Sequence, residues 1–298
     1  MLYDIGASFT YRYDNPAKAG RHLLRLMPAS VDGVQRVVAS HLDIRPAVEE
    51  KLFRKDFFGN SAVQVVFRSM LDEIEFKLQC RVERLSNEPR LDVSPPLEQL
   101  AQDIAAYRSL DPAAPHHFIG ESPRVHTSPS MTGYARSMLR PGMTALEAVK
   151  AVCEALHADI RFDDEATTVD TSPQEAFDRR RGVCQDISHI MIACLRGVGV
   201  PAGYVSGFLR TIPPPGKKRL EGADAMHAWV QAWCGGDIGW VEFDPTNAVM
   251  VGTDHVVVAR GRDYSDVAPI KGVLRIAGKQ HSKHAVDVVP VERAPVVS

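Results

Sequence analysis

The sequence predicts an α+β protein. An antiparallel β-sandwich-like domain occupies residues 1–90, a connecting segment 91–143, and a second domain 144–298, in which a helix carrying a cysteine packs on an antiparallel sheet. Three observations carry this expectation. Apolar residues alternate at period two from Tyr3 to about Leu85, as half-buried strands require. After Cys184, the residues Ile187, Ile190, Met191, Cys194 and Leu195 recur at helical spacing, and Gly197, Gly199 and Pro201 stop that helix. Two alternating runs, His227–Cys234 and Trp240–Asp244, flank Gly235, Gly236 and Gly239, the pattern of a β-hairpin.

In the first domain the alternation runs through Ile5, Ala7, Phe9 and Tyr11, then Leu24 and Leu26, then Val37, Ala39 and His41, then Val63, Val65 and Phe67, then Ile74, Phe76, Leu78 and Cys80. Asn15-Pro16, Pro28, Asp32-Gly33 and Gly59-Asn60 supply turn signals between five or six strands. His22 and His41 fall in strands and read as structural histidines. Residues 86–143 are rich in proline, with a short helix expected from Pro96 to Leu110. His116, His117 and His126 have no carboxylate or cysteine at metal-ligand spacing.

Thr144 with Glu147 forms a capping-box pattern ahead of a helix through Ala148, Val149, Val152, Ala155 and Leu156. Ser172-Pro173 starts another helix, which delivers Arg179, Arg180 and Arg181 to the segment before Cys184; the arginines read as a solvated helix end that complements the dipole. Val200–Leu209 is expected as a strand of the sheet that the hairpin joins, with a surface loop over 212–223 between them. Asp254–Ala259 is a further strand, Asp263 fixes a loop, and residues 273–292 form a final strand pair with His281 and His284 in a charged turn.

Composition narrows the function classes. A chain of 298 residues with 45% hydrophobic and 24% charged residues is an ordinary globular protein with room for two domains. A net charge of −2 gives no basis for non-specific attraction to nucleic acid or anionic membrane, so neither is expected as a partner. The cysteines at 80, 153, 184, 194 and 234 are odd in number and lack paired spacing, against a disulfide framework, and no CxxC or Cys–His cluster suggests zinc. The N-terminus lacks the basic and apolar regions of a signal peptide, and no stretch approaches membrane-spanning length. The expectation is a cytoplasmic protein without metal or cofactor.

The chemistry rests on three residues. Cys184 in the first turn of a helix lies where free backbone N–H groups and the dipole favour a thiolate. Centring the hairpin turn between residues 235 and 236 puts His227 across from Asp244, Trp229 across from Glu242 and Gln231 across from Trp240. Cross-strand Cβ atoms lie roughly 4.5–5.5 Å apart, within reach of an imidazole–carboxylate hydrogen bond. Cys184 is then the nucleophile, His227 the partner that holds the thiolate and protonates the leaving amine, and Asp244 the group that fixes the His227 tautomer. The Cys184 N–H is the natural first oxyanion donor; the sequence identifies no second. Trp229 and Trp233 alternate with His227 on one face, and Trp229, nearest the triad, is the better placed to shape the pocket.

GVCQD at 182–186, LRGVGVPAGYVSGF at 195–208, MHAWV at 226–230, GWVEFDPTN at 239–247 and GRDYSDVAPIKGV at 261–273 together resemble the bacterial transglutaminase-like family, of the papain-like cysteine enzymes. LRLMP at 24–28 and DFFGN at 56–60 resemble the β-rich domain that often precedes it. The resemblance implies a papain-like, transglutaminase-like catalytic domain with its triad on Cys184, His227 and Asp244. Met226 stands where a small or hydroxyl residue is expected, and Gly203 follows Ala202 where the family commonly has arginine; both bear on substrate preference rather than on the triad. Peptidase or amidase hydrolysis of a peptide or amide substrate is the expected activity, with transamidation of protein glutamine or a catalytically silent binding module as alternatives. In a papain-type protease the histidine follows the cysteine by roughly 130–150 residues; here it follows far sooner. No GxSxG elbow supports a serine hydrolase.

Overall fold

The computed structural model describes residues 1–85, 91–212, 222 and 224–291. The N-terminal layer is built on β1 (Leu2–Leu24), joined by β2 (Gln35–Arg45), β3 (Glu50–Lys55), β4 (Ser61–Phe67) and β5 (Leu71–Arg84). Its strands run β2-β5-β1-β4-β3, all antiparallel, in one curled sheet. Tyr3, Ile5, Ala7 and Phe9 alternate into the core as the period-two pattern requires. Asn15-Pro16 differs from expectation: β1 runs through it without turning. The β1–β5 register slips between Arg12 and Ala17, so proline sits in an irregularity where no ladder N–H is demanded. Beyond it β1 exchanges β5 for β4, and this bend curls the sheet.

The connecting segment carries α1 (Leu100–Ala106), shorter than expected and entered through a single 3₁₀ turn, and α2 (Pro129–Met138), which the proline-rich sequence concealed. Pro129 occupies the first turn after the N-cap Ser128, whose hydroxyl accepts from the Met131 N–H, so this proline starts a helix. The segment also packs on the following domain: Trp240 donates Nε1–H to the Ala113 carbonyl at 2.8 Å, and its ring meets Phe118 at 4.8 Å.

Next come α3 (Ala145–Asp159), β6 (Arg161–Phe162), α4 (Pro173–Arg179), β7 (Arg181–Gly182), α5 (Cys184–Gly197), β8 (Ala202–Leu209), β9 (Ala225–Trp233), β10 (Trp240–Asp244), β11 (Val249–Met250), β12 (His255–Gly261) and α6 (Tyr264–Val267). The expected Thr144–Glu147 capping box forms at the start of α3. α5 is buried from Asp186 to Arg196, because α2, α3 and α4 cover one side and β8 and β9 the other. The sheet order is β11-β10-β9-β8-β12.

That sheet is rolled. β12 lies three places from β10 in the order, yet Arg260 on β12 pairs with Glu242 on β10, and Trp229, Val205, Val251 and Val257 form a small core inside the curl. Gly207 on β8 makes room for it, since a Cβ there would stand 2.2 Å from the Trp229 ring.

Strands β13 (Ile270–Arg275) and β14 (Gln280–Pro290) fall within the 144–298 stretch but pair with β1 of the N-terminal layer, Leu24 opposite Ile270 and Ile5 opposite Val288. His281 and His284 therefore lie in a strand rather than a turn. His281 Nε2 meets Asp14 Oδ1 at 2.9 Å, and His284 packs on Phe9 and Tyr11. The layer also holds the edge of β12 that no described strand of its own sheet pairs. The Gln35 amide exchanges hydrogen bonds with the Val257 backbone (2.7 and 2.8 Å), and the Asn60 amide does the same with Arg260 (both 2.8 Å). The expected 212–223 loop lies almost wholly outside the described residues.

Candidate active site

α5 begins at Cys184 with an unusual cap. Val183 is extended and has no side-chain acceptor, so the cap works in reverse: Asp186 Oδ2 accepts the Val183 N–H at 2.9 Å and the Thr167 hydroxyl at 2.6 Å. The first intrahelical N–H groups, those of Asp186 and Ile187, bond the Val183 carbonyl. The N–H groups of Cys184 and Gln185 stay outside the ladder and point from the positive end of the dipole. Burial pushes the Asp186 carboxyl up from its ordinary value, against those hydrogen bonds.

Cys184 is half-buried, whereas the other four cysteines are buried, and burial pushes each of those thiols up to about 12. Arg179, Arg180 and Arg181 turn elsewhere. Arg179 pairs with Glu175, Arg180 stacks 4.2 Å over Phe177, and Arg181 lies 3.8 Å from Asp163.

The structure brings Cys184, His227 and Asp244 together. His227 Nε2 lies 2.7 Å from Asp244 Oδ2, and Cys184 stands close enough to the imidazole to act on its charge. Burial would lower the His227 pKa, but the hydrogen bond to Asp244 and the nearby Cys184 outweigh it and hold the group at about 10. The hairpin register is not the expected one. Trp240 pairs with Trp233, Glu242 with Gln231 and Phe243 with Val230, two residues removed from the symmetric turn, because the chain loops from Cys234 to Gly239. A shift of two leaves every side chain on its expected face.

Asp244 is fully buried. Its Oδ1 accepts the backbone N–H groups of Thr246 (3.0 Å) and Asn247 (3.3 Å). Its Oδ2 accepts His227 Nε2, the Asn247 amide at 2.6 Å and, unforeseen in the sequence, His255 Nε2 at 3.1 Å. Burial would raise this carboxyl, but the hydrogen bonds from His227 and His255 dominate and hold it well below the usual carboxylate range. An ionised carboxylate only accepts, so both imidazoles donate from Nε2. The one signal of His255 in the sequence is a histidine at the head of an apolar strand; nothing there foretells that the sheet rolls β12 back towards β10.

Trp229 separates this cluster from the next. Its ring packs 6.2 Å from His227 and 5.1 Å from His255, and its Nε1–H is donated to Glu242 Oε2 at 2.8 Å. Beyond Glu242 a cavity of about 720 Å³ opens between the N-terminal layer, the connecting segment and β10; none of Cys184, His227 or Asp244 lines it. His227, Asp244 and His255 place three ligand-type atoms within 4.8 Å of one another, with both Nε2 atoms hydrogen-bonded to Asp244 Oδ2. Asp263, expected to fix a loop, accepts the backbone N–H groups of Arg124 and Ser265 and so ties the connecting segment to α6.

Comparison with known proteins bears on the family and the fold. Residues 132–245 match the transglutaminase-like superfamily, and residues 3–83 match the bacterial transglutaminase-like N-terminal region. An uncharacterised protein of Mycobacterium tuberculosis is 34% identical over 270 residues, covering 87% of this chain and 83% of its own. One of Mycobacterium leprae is 31% identical over 268 residues, covering 88% and 89%. A crystal structure from Cytophaga hutchinsonii, provisionally named a cysteine protease, superposes with a TM-score of 0.74 at 20% identity over 99% of this chain and 92% of that one, and so shares the fold. With both regions matched in this order along one chain, the protein belongs to the transglutaminase-like superfamily, in the bacterial form that carries its own N-terminal region.

Proposed function

We propose that this protein is a cysteine-dependent acyl-transfer enzyme acting on an amide bond, with hydrolysis as its reaction. The observation that carries the reading is one imidazole, His227, hydrogen-bonded to the buried Asp244 carboxylate and lying within electrostatic reach of Cys184, the half-buried cysteine at the start of α5. The Cys184 thiolate attacks the carbonyl carbon, and the C–N bond breaks as the amine takes a proton from His227, leaving a thioester. Water then gives its proton to His227, attacks the thioester and releases the acid and Cys184. The N–H groups at the start of α5 face the developing oxyanion. Hydrolysis is preferred over transamidation because water needs no binding site of its own.

The test is the pH dependence of alkylation at each cysteine, followed by peptide mass spectrometry. Cys184 should react well below pH 8.5, the ordinary range for a free thiol, and lose that reactivity in His227→Ala. Equal rates at Cys184 and the buried cysteines would dismiss the enzyme reading in favour of a binding module. Acylation by a peptide glutamine amide with and without a primary amine separates the two reactions: hydrolysis yields the acid in both cases, transamidation the amine adduct.

A further inference from the structure

Five donors converge on the Asp244 carboxylate, two on Oδ1 and three on Oδ2. A carboxylate offers about four lone-pair sites, so the donors on Oδ2 compete. One of them, His255, lies outside the proposed triad, is 5% exposed and leaves its own Nδ1 buried without a partner. An imidazole held this way commits its single N–H to one place. The ionisable groups that face it are Asp244 from β10 and His227 from β9, whose ring lies 6.1 Å away, and Trp229 walls its remaining side. Its neighbour Asp254 is turned to Arg210 and Tyr3.

We infer that His255 is a positioning residue of this site: its Nε2–H shares Oδ2 of Asp244 with His227 and, by drawing off part of that oxygen's charge, keeps the His227 imidazolium able to release its proton. The inference rests on the acyl-transfer reading, and its logic is that of a general acid. A buried carboxylate devoted wholly to His227 would make the imidazolium a poor proton donor to the leaving amine, and a general acid works best when its pKa lies near the operating pH. His255 and Asn247 moderate that carboxylate while also fixing its plane.

The test uses the full chain with Cys184→Ala, so that no thiolate acts on the imidazole, and follows the His227 ring by NMR with labelled histidine. Adding His255→Phe should move the His227 titration up by about half a pH unit. His255→Gln, whose amide can stand where Nε2 stood, should restore it. Asn247→Ala removes a second donor from the same oxygen at an exposed position, and should shift the titration in the same direction even if His255→Phe fails to fold. A titration that stays in place in these variants overturns the inference. So does a downward shift like that of Asp244→Asn, which would mean that His255 merely braces the carboxylate. If Cys184 in the unmodified protein shows an ordinary alkylation profile, the acyl-transfer reading itself fails, and the two failures are told apart.

Discussion

Asp244 reaches His227 at 2.7 Å although the two are not opposite each other in the sheet: the last β9–β10 pair is Phe243 with Val230, and the ladder continued one step would set Asp244 against Trp229. The contact is therefore diagonal, and it holds because the carboxylate is pinned from its other side by the Thr246 and Asn247 N–H groups. Asp244→Asn should slow alkylation of Cys184 at pH 6–7 by at least about a hundredfold with the fold intact, because an amide can present its NH₂ to Nε2 and turn the imidazole to the wrong tautomer. Mass-spectrometric alkylation rates check this.

Glu242 lies between Arg260, which donates to Oε1, and the Trp229 indole, which donates to Oε2, with the buried Arg84 also within its field. Removing that carboxylate leaves the guanidinium groups of Arg84 and Arg260 without the charge that offsets them, at the wall of the cavity all three residues line. Glu242→Ala is expected to cost about 3–5 kcal/mol, measured by urea unfolding, and to change Trp229 fluorescence.

Gln35 completes the hydrogen bonding of β12 at Val257 from the N-terminal layer, and is 2% exposed. Gln35→Leu keeps the volume but strands an N–H and a carbonyl, at an expected cost of about 2–3 kcal/mol. Because His255 heads the same strand, hydrogen exchange at residues 255–260 should rise more than exchange in α5.

His22 is buried against Phe67 and Phe76, and burial lowers its pKa to about 4. The unfolded chain takes up that proton near the ordinary 6.5, so between pH 6.5 and 4 the unfolded state holds more protons and stability falls as pH falls. The span corresponds to at most about 3 kcal/mol. His22→Leu should flatten the decline in melting temperature from pH 7 to pH 4.5.

What the sequence made legible was whatever depends on short-range pattern. The start of α5 at Cys184, the capping box at Thr144 and the common face of His227 and Asp244 follow from periods of 3.6 and 2, and the face survives the two-residue error in register because the side-chain period of a strand is two. α2 was hidden because proline marks both helix starts and loops, and only the Ser128 cap distinguishes them. His255 was hidden for a different reason. Its contact with Asp244 depends on how far a five-stranded sheet rolls, which is set by the Trp229 core and by the glycine at 207, and neither leaves a periodic trace. The pairing of β13 and β14 with β1 is equally remote in sequence.

That last pairing sets a timetable. β1 is made long before β14, and one edge of its leading half stays open until residues 280–290 emerge to pair with Tyr3–Tyr13. During synthesis the helix bearing Cys184 and the rolled sheet can form while the N-terminal layer still exposes an unpaired strand edge, a surface prone to pair with other chains. A nascent chain stalled before β14 should be captured by chaperones or aggregate, and supplying 280–290 as a peptide should rescue it. Loss of a few residues from β14 is then expected to be felt first as a defect of biogenesis, with the chemistry of the finished protein unchanged.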